Sequence, residues 1–212
     1  MKDFKTTSLA DQVFERLEND IILGVHPRGE ILTELKLVEQ LGVSRTPIRE
    51  ALRRLEQERL IEETAKGALV LGITEDDLLD IMNIRIRIEG LASYYATINI
   101  TPEGLDELHH VVDLQDFYYS KGDYAHLRHM DDVFHDVICR LSKRTVLYDT
   151  LTPLHRKIRR YRRKSMEDTG RIAKVIKEHR AIYEAIASGD AMLAKTLTKQ
   201  HVENAKKNML GE

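Results

Sequence analysis

Apolar residues recur at every third or fourth position along most of the chain, and this spacing is typical of helices that bury one face. A first helix is predicted from Ser8, where Asp11 completes a capping box, to the turn at Gly24. Two shorter helices, separated by a turn at Gly42, form a predicted helix-turn-helix. Their apolar positions are Leu35, Val38 and Leu41 in one, and Ile48, Leu52 and Leu55 in the other.

After Leu60 the apolar runs become short. The segments LIEETA and ALVLGI flank Lys66 and Gly67. Because glycine accepts a positive φ angle, this arrangement predicts a β-hairpin with its tight turn at these two residues. A helix-turn-helix followed by a hairpin predicts a winged helix over residues 1–73.

The pattern changes at Thr74, which forms a second predicted capping box with Asp77. From there to its end the chain shows only helical spacing, interrupted by glycine, serine or proline. We therefore expect a mainly α protein, in which a winged helix-turn-helix with a small β-hairpin wing precedes an all-α antiparallel bundle of about six helices over residues 74–212. The bundle helices are predicted over residues 75–98, 102–120, 122–142, 144–167, 170–188 and 190–209.

The composition changes this picture little. With 42% hydrophobic and 32% charged residues the chain has the composition of a globular protein. Its first residues lack the apolar run of a signal peptide, and no stretch reaches the length of a membrane span, so we expect a cytoplasmic location. The single cysteine, Cys139, excludes an internal disulfide and a cysteine-rich zinc finger. Any metal site must therefore use nitrogen and oxygen ligands.

A net charge of -2 gives no overall indication of nucleic-acid binding, so that function must rest on local charge. Arg45, Arg49 and Arg53 are spaced by four and form a stripe along the second helix of the helix-turn-helix. Such a helix fits the major groove of DNA. Ser44 and Thr46 lie at its start, where hydroxyl and free backbone N–H groups suit a phosphate. A solvated charged face is the alternative, but the adjoining turn and wing favour DNA binding.

The segment SRTPIREALRRLE, with the wing after it, resembles the DNA-binding domain of the GntR family of bacterial regulators. The resemblance covers residues 8 to 73 and implies a partner of double-stranded operator DNA. It implies that Arg45 and Arg49 are the principal DNA contacts, that Ser44 and Thr46 hold the DNA backbone, and that Lys66 and Gly67 approach the minor groove.

One position departs from that family pattern. Members often carry an arginine after the glutamate that opens the helix-turn-helix, whereas here Leu35 follows Glu34. One DNA contact is therefore expected to be missing, and no operator sequence can be borrowed from relatives.

Acidic and imidazole side chains recur on the apolar faces of the bundle helices. Asp131 and His135, within DDVFHDVI, are four apart and share one face. His179 and His201 lie on the apolar stripes of the last two helices. Bare polar groups in a core cost roughly 1–3 kcal/mol each. Any one of these could be a core residue bonded to a neighbour, but the four donors together could also satisfy one another through a divalent metal.

The helical region resembles the FCD effector domain carried by the FadR branch of GntR regulators, over residues 75 to 209. The stretch RIRIEG, with Arg85 and Glu89 four apart, matches its opening pattern, and six helices suggest the VanR-like subgroup. The resemblance implies a metal at Asp131, His135, His179 and His201 and a small carboxylate effector beside Arg85.

Several alternatives stay open in this region. Zinc, nickel, manganese and iron all suit the donor set. Arg85 could simply pair with Glu89 at helical spacing. The basic run HRKIRRYRRK is interpreted as a solvated face, with a second DNA-binding surface or one inward arginine in the effector pocket as alternatives. The remaining bundle histidines, His109, His110, His126, His129 and His155, are interpreted as surface or packing residues.

The expected function is that of a homodimeric, ligand-responsive DNA-binding transcriptional regulator. It would act as a repressor on a palindromic operator and sense a small organic acid at the metal site. A regulator for which the ion itself is the signal is one alternative. A metal-dependent enzyme is another, but no nucleophile or general base is evident beside the metal, and an enzyme would not explain the winged helix. Whether the acid releases or strengthens DNA binding stays open.

Overall fold

The computed structural model describes residues 8–165 and 169–211, which form two compact units. The first unit ends at Thr74 and the second begins at Glu75. The end of the predicted helix 144–167 lies outside the described residues. Within the described ranges, no helix is long and apolar enough to cross a bilayer. The expected mainly α fold with a small β wing is confirmed.

The first unit is a winged helix-turn-helix. The capping box at Ser8 and Asp11 is present, with the Ser8 side chain accepting from the Asp11 backbone N–H. Gly24 ends the first helix, and Gly42 forms the turn of the helix-turn-helix; both adopt a left-handed conformation. The elements are α1 (Leu9–Leu23), β1 (Ile31–Leu32), α2 (Glu34–Leu41), α3 (Arg45–Gln57), β2 (Ile61–Thr64) and β3 (Gly67–Val70).

One apolar core holds this unit together. Side chains from all three helices and from the sheet meet there and are almost completely removed from water. Each fully buried Leu or Ile contributes roughly 1.5–3 kcal/mol. The innermost members are Leu17, Leu32, Leu37, Ile48, Leu55 and Leu60.

The wing differs from the prediction in two ways. Its turn consists of Ala65 and Lys66, and Gly67 already belongs to β3, where it pairs with Thr64. The sheet also has a third strand, because β1 pairs antiparallel with β3 to give the order β1-β3-β2. A strand of two residues is too short to show an alternating pattern in the sequence.

Gly67 is required where β1 meets β3. Its φ angle is +131°, and a Cβ atom there would lie 2.6 Å from the backbone oxygen of Leu32. Any side chain would therefore push β1 away from β3, so this glycine has a structural role whether or not the wing contacts DNA.

The second unit is a helical bundle. The segment predicted as one helix over 144–167 is two helices, because the backbone leaves helical geometry at Ile158. The described residues thus contain seven bundle helices instead of about six, and the helix count no longer favours the VanR-like subgroup. They are α4 (Glu75–Asn99), α5 (Pro102–Ser120), α6 (Tyr124–Leu141), α7 (Thr145–Lys157), α8 (Arg159–Ser165), α9 (Thr169–Ala187) and α10 (Ala191–Leu210).

The bundle is organised around the pairing of α4 with α10. At Gly90 the two helices approach so closely that a Cβ atom would lie 2.7 Å from the backbone oxygen of Lys195. After this contact α4 buries small residues, including Ala92 and Ala96, whereas before it α4 buries larger ones such as Met82. Polar side chains also lie between the helices, with Arg85 and Glu89 on α4 buried in the middle of the bundle.

We expect Gly67→Ala to destabilise the winged-helix unit by about 2 kcal/mol or more, because the unfavourable φ costs about 1–3 kcal/mol and the added methyl group clashes with β1. Denaturation of the full chain, followed by circular dichroism, measures this change. Gly72→Ala is the matched control, since Gly72 also has a positive φ (+62°) but an added Cβ would meet no described atom within 4 Å. Equal losses in the two variants would contradict the role given to the β1 contact.

Candidate metal centre and nucleic-acid interface

Four buried polar side chains come together inside the bundle. His135 on α6, His179 on α9 and His201 on α10 are at most 4% exposed, and one ligand atom of each lies within 4.8 Å of the others. The Nε2 atoms of His179 and His201 are 3.4 Å apart. Asp131 lies one turn before His135, and its Oδ1 atom is 3.8 Å from Nε2 of His179. The structure thus brings together the four residues that the sequence predicts as a metal site.

These side chains point inward because they share a helix face with apolar residues. On α6, the buried Phe134 and Ile138 flank Asp131 and His135 in the helical repeat. The Phe134 ring also stacks on the imidazole of His179, with ring centroids 3.9 Å apart. The apolar packing that stabilises the bundle therefore also brings these donor side chains together.

Two of the imidazoles are oriented by carboxylates. His135 donates from Nδ1 to Oε1 of Glu89 over 2.7 Å. His201 donates from Nδ1 to Oε2 of Glu178, also over 2.7 Å. Because an ionised carboxylate can only accept, each Nδ1 carries a proton, and in the neutral form of each ring Nε2 has the lone pair.

An amide orients the third imidazole. The Gln115 side chain donates from Nε2 to the backbone oxygen of Met130 over 3.1 Å. Its Oε1 atom therefore faces His179 and accepts from Nδ1 over 3.0 Å. His179 has the same tautomer as the other two, with the lone pair on Nε2.

This donor set fits a divalent metal. The Nε2 atoms of His179 and His201 lie 3.4 Å apart; when both imidazoles are neutral with the proton on Nδ1, two lone pairs face each other, a repulsive arrangement that a cation between them would relieve. Four-coordinate zinc with Zn–N distances of about 2.0–2.1 Å gives a nitrogen separation of roughly 3.3 Å. Burial lowers the pKa of His135 and of His179 well below the usual value, so both stay neutral as metal ligands must.

Asp131 supplies the fourth donor. Its Oδ2 atom has no hydrogen-bond partner among the described residues, although Nε of Arg162 lies 3.2 Å away. Burial raises the pKa of Asp131, and the positive charge of Arg162 opposes that rise. A buried carboxylate oxygen with so little compensation is a suitable ligand for a cation.

Glu89 connects the candidate metal ligands Asp131, His135, His179 and His201, here called the metal-ligand cluster, to Arg85. The guanidinium of Arg85 donates to Glu89 through Nε over 2.7 Å and Nη2 over 3.0 Å. Burial raises the pKa of Glu89, but the charge of Arg85 and the hydrogen bond from His135 outweigh it and hold that pKa well below the usual value. The sequence placed Arg85 beside an effector; the structure shows the alternative pairing with Glu89. His155, interpreted as a surface or packing residue, is buried with Nε2 3.3 Å from Glu89.

Glu178 has a similar place on the other side of the cluster. Arg171 donates to its two carboxylate oxygens over 2.8 and 3.0 Å, and Asn204 donates over 2.8 Å. Burial raises the pKa of Glu178, but the hydrogen bonds from His201 and Arg171 outweigh it and lower the value to about 2. Glu178 is therefore ionised at neutral pH.

A small cavity of about 20 Å³ adjoins the metal-ligand cluster, with room for about one water. The basic run HRKIRRYRRK was interpreted as a solvated face, but its Arg162 is only 7% exposed and lines this cavity. The side chains of Arg163 and Lys164 lie outside the described residues. The polar residues that line the cavity are Arg85, Asp131, His135, Arg162, Arg171 and His201.

Sequence analysis did not identify the side chains that accept hydrogen bonds from the imidazoles. Gln115 was detectable as a polar residue on the apolar face of α5, where it is 1% exposed. Glu178 gave little signal, because a glutamate within the charged stretch KEHR is most simply solvated.

The first unit presents the predicted DNA-binding residues on its surface. Ser44 is the N-cap of α3, and its side chain makes no capping hydrogen bond. The stripe formed by Arg45, Arg49 and Arg53 is exposed along its whole length. Arg54, by contrast, pairs with Asp11 over 2.6 Å. Gly67 is half-buried. The exposed members are Ser44, Arg45, Thr46, Arg49, Arg53 and Lys66.

Arg49 is held by a neighbour across the helix-turn-helix. Its Nε atom donates to Oε1 of Glu34, the first residue of α2, over 2.7 Å. The hydrogen bond from Arg49 lowers the pKa of Glu34. Because the pair uses Nε and the Arg49 side chain is exposed, its terminal nitrogens remain accessible to a base edge or a phosphate.

Comparison with known proteins agrees with both units. The model described as bacterial regulatory proteins, gntR family, matches residues 9–70, and the FCD domain model matches residues 80–204. The chain is 30% identical over 151 residues to the HTH-type transcriptional regulator McbR of Escherichia coli K12, covering 71% of this chain and 68% of McbR. It is 27% identical over 202 residues to the probable D-xylose utilization operon transcriptional repressor of Paenarthrobacter nicotinovorans, covering 95% and 88%. The solved structure of E. coli McbR/YncC has a TM-score of 0.82 at 23% identity, covering 97% of this chain and 99% of that one, which shows a common fold.

We expect Glu89→Gln to destabilise the bundle by about 3–5 kcal/mol, because it leaves the buried guanidinium of Arg85 without a counter-charge. The free energy of unfolding from urea titration measures this change. Glu184→Gln on α9 is the control, since Glu184 is exposed. A loss in Glu89→Gln no larger than in the control would show that the buried pair does not support the fold.

Proposed function

The chain belongs to the GntR family of DNA-binding transcriptional regulators and carries an FCD domain, and we propose that it is a repressor controlled by a small organic acid at a metal centre. Repression is proposed because the D-xylose relative is named as an operon repressor. The relatives are regulators, which also argues against an enzyme.

For DNA binding we propose that α3 enters the major groove. Arg45 and Arg49 would read base edges, Arg53 would contact a phosphate, and Ser44 and Thr46 would hold the backbone at the helix start. The wing tip, Lys66 with Gly67, would approach the minor groove. The exposure of the arginine stripe on one face of α3 supports this proposal. We propose a homodimer, whose two-fold symmetry would match a palindromic operator.

For control we propose a divalent metal held by Asp131, His135, His179 and His201. The single observation that carries this proposal is that the three imidazoles donate from Nδ1 to separate acceptors while their Nε2 atoms are left to one another. A bound divalent ion would supply a Lewis-acidic position for an oxygen of an organic acid. Zinc, nickel, manganese and iron remain candidates.

A second candidate function is a sensor for which the ion alone is the signal. It is favoured by the size of the cavity, which at about 20 Å³ leaves room for little more than one water beside the ligands. Chelation followed by an operator-shift assay separates the two functions. A sensor gains or loses operator binding with the metal alone, whereas the proposed regulator also needs the acid.

We expect His179→Ala to lose most of the bound metal, because it removes one of four ligands and leaves a gap beside Phe134. Elemental analysis of the purified chain measures this, with about one ion per chain expected for the natural sequence. His129→Ala is the control, since His129 is an exposed residue of α6. Equal metal content in the two variants would remove the proposed centre.

We expect Arg49→Ala to weaken specific retention of operator DNA by about 1–3 kcal/mol in binding free energy and to relax the base preference. Competition shift assays with operator and random duplexes measure both effects. Arg16→Ala is the matched control, an exposed arginine on α1 that also pairs with an acid, Asp20. If Arg49→Ala kept its sequence preference, the assignment of base reading to Arg49 would be wrong.

A further inference from the structure

We propose that Leu35, in the first turn of α2, reads the C5-methyl group of a thymine in the major groove, so that each half-site of the operator carries a thymine selected by this side chain. The inference rests on the DNA binding proposed above. It adds a base-reading residue outside α3 and names the base that this residue selects.

Leu35 lies beside the arginine stripe of α3. Its neighbour Glu34 accepts a hydrogen bond from Nε of Arg49 over 2.7 Å, and the charge of Arg45 is close enough to contribute to the lowered pKa of Glu34, after the hydrogen bond from Arg49. Glu34 also lines one surface groove together with Arg49 and Arg53. The start of α2 therefore borders the surface assigned to DNA, and Leu35 is one residue away from that contact.

The Leu35 side chain points away from the core of the winged-helix unit. Leu37 is 1% exposed and marks the inner face of α2, and about 200° of helical rotation separates the two side chains. Leu35 is 61% exposed, and within α2 and α3, which the structure describes throughout, it is the only large apolar side chain that is exposed. A single exposed leucine is common on protein surfaces, so its place beside the stripe is the more informative property.

The two polar neighbours of Leu35 are bonded to other side chains. Glu34 is bonded to Arg49 on α3. On the other side, Nζ of Lys36 donates to Oε1 of Glu30, in the segment before β1, over 3.2 Å. Leu35 is thus the side chain of this turn that extends from the surface without being drawn back onto the protein.

A leucine distinguishes base pairs only through apolar contact, because its side chain can neither donate nor accept a hydrogen bond. In the major groove, the apolar group among the base edges is the C5-methyl group of thymine. Against a G·C pair, Leu35 would cover polar groups without satisfying them, which is unfavourable. We therefore expect a preference for an A·T pair whose thymine methyl group packs against Leu35.

The test begins with selection of high-affinity duplexes from a randomised DNA library by the full chain, which supplies the probe. Each thymine of the selected duplex is then replaced by deoxyuridine, which lacks only the C5-methyl group. We expect one thymine per half-site whose replacement weakens binding by about fourfold, the effect of one buried methyl group. No loss of affinity at any thymine would overturn the inference.

Leu35→Ala tests whether this side chain makes the methyl contact. We expect the variant to bind the thymine duplex at least about fourfold less tightly than the natural chain does, and to bind the thymine and deoxyuridine duplexes equally. Val25→Ala is the matched control, because Val25 is 63% exposed and directly follows the cap of α1; this variant should keep the fourfold difference. If Leu35→Ala also kept that difference, the assignment to Leu35 would be wrong.

A 5-methylcytosine probe separates the methyl group from the rest of the base pair. Replacing the sensitive A·T pair by G·C should weaken binding by the natural chain. Adding a methyl group at C5 of that cytosine should then recover about fourfold in the natural chain and nothing in Leu35→Ala. Absence of recovery in the natural chain would count against reading of the methyl group.

Failure of this inference can be told apart from failure of the proposed function. A library selection that yields no preferred sequence would reject specific DNA binding itself. A preferred sequence that binds equally well with and without its thymine methyl groups would leave DNA binding by α3 standing and reject only the role of Leu35.

Discussion

The direction of three buried lone pairs is the constraint on which the bundle site depends. A neutral imidazole has one N–H group and one lone pair, and the acceptor of the N–H decides where the lone pair points. Glu89, Gln115 and Glu178 accept from the three Nδ1 atoms, so in the neutral rings the lone pairs are on Nε2. The acceptors come from α4, α5 and α9, which makes the geometry a product of the whole bundle and not of one helix.

The acceptors are themselves charged and buried, so they require partners in turn. Arg85 neutralises Glu89, and Arg171 neutralises Glu178. A half-satisfied polar network inside a core is worse than an apolar one, and this network retains N–H groups that nothing in the described residues satisfies. Such a surplus beside a cavity is unfavourable for the stability of the bundle.

Features that depend on neighbouring residues could be predicted from the sequence. Features that depend on contacts between distant parts of the chain could not. The capping box at Ser8 and the turn at Gly42 follow from neighbouring residues, and the four donors follow from the helical repeat. The break at Ile158 could not be predicted, because the apolar spacing continues through it. Strand β1 exists only because it pairs with β3, and the bond of Gln115 to His179 joins residues 64 positions apart. Those features depend on which distant residues come into contact, and a single sequence does not specify these contacts.

If the proposed metal and the proposed acid both bind in the bundle, their affinities cannot be independent. The carboxylates of Asp131 and Glu178 are shared between the imidazole cluster and the cavity arginines, so an anion that draws on Arg162 or Arg171 changes the groups that hold the ligands. By linkage, if the metal raises the affinity for the acid by some factor, the acid raises the affinity for the metal by the same factor. A ligand shifts DNA occupancy only as far as it binds the two conformations of the protein with different affinity. The size of the response is therefore limited by how differently these shared carboxylates are arranged in the two conformations.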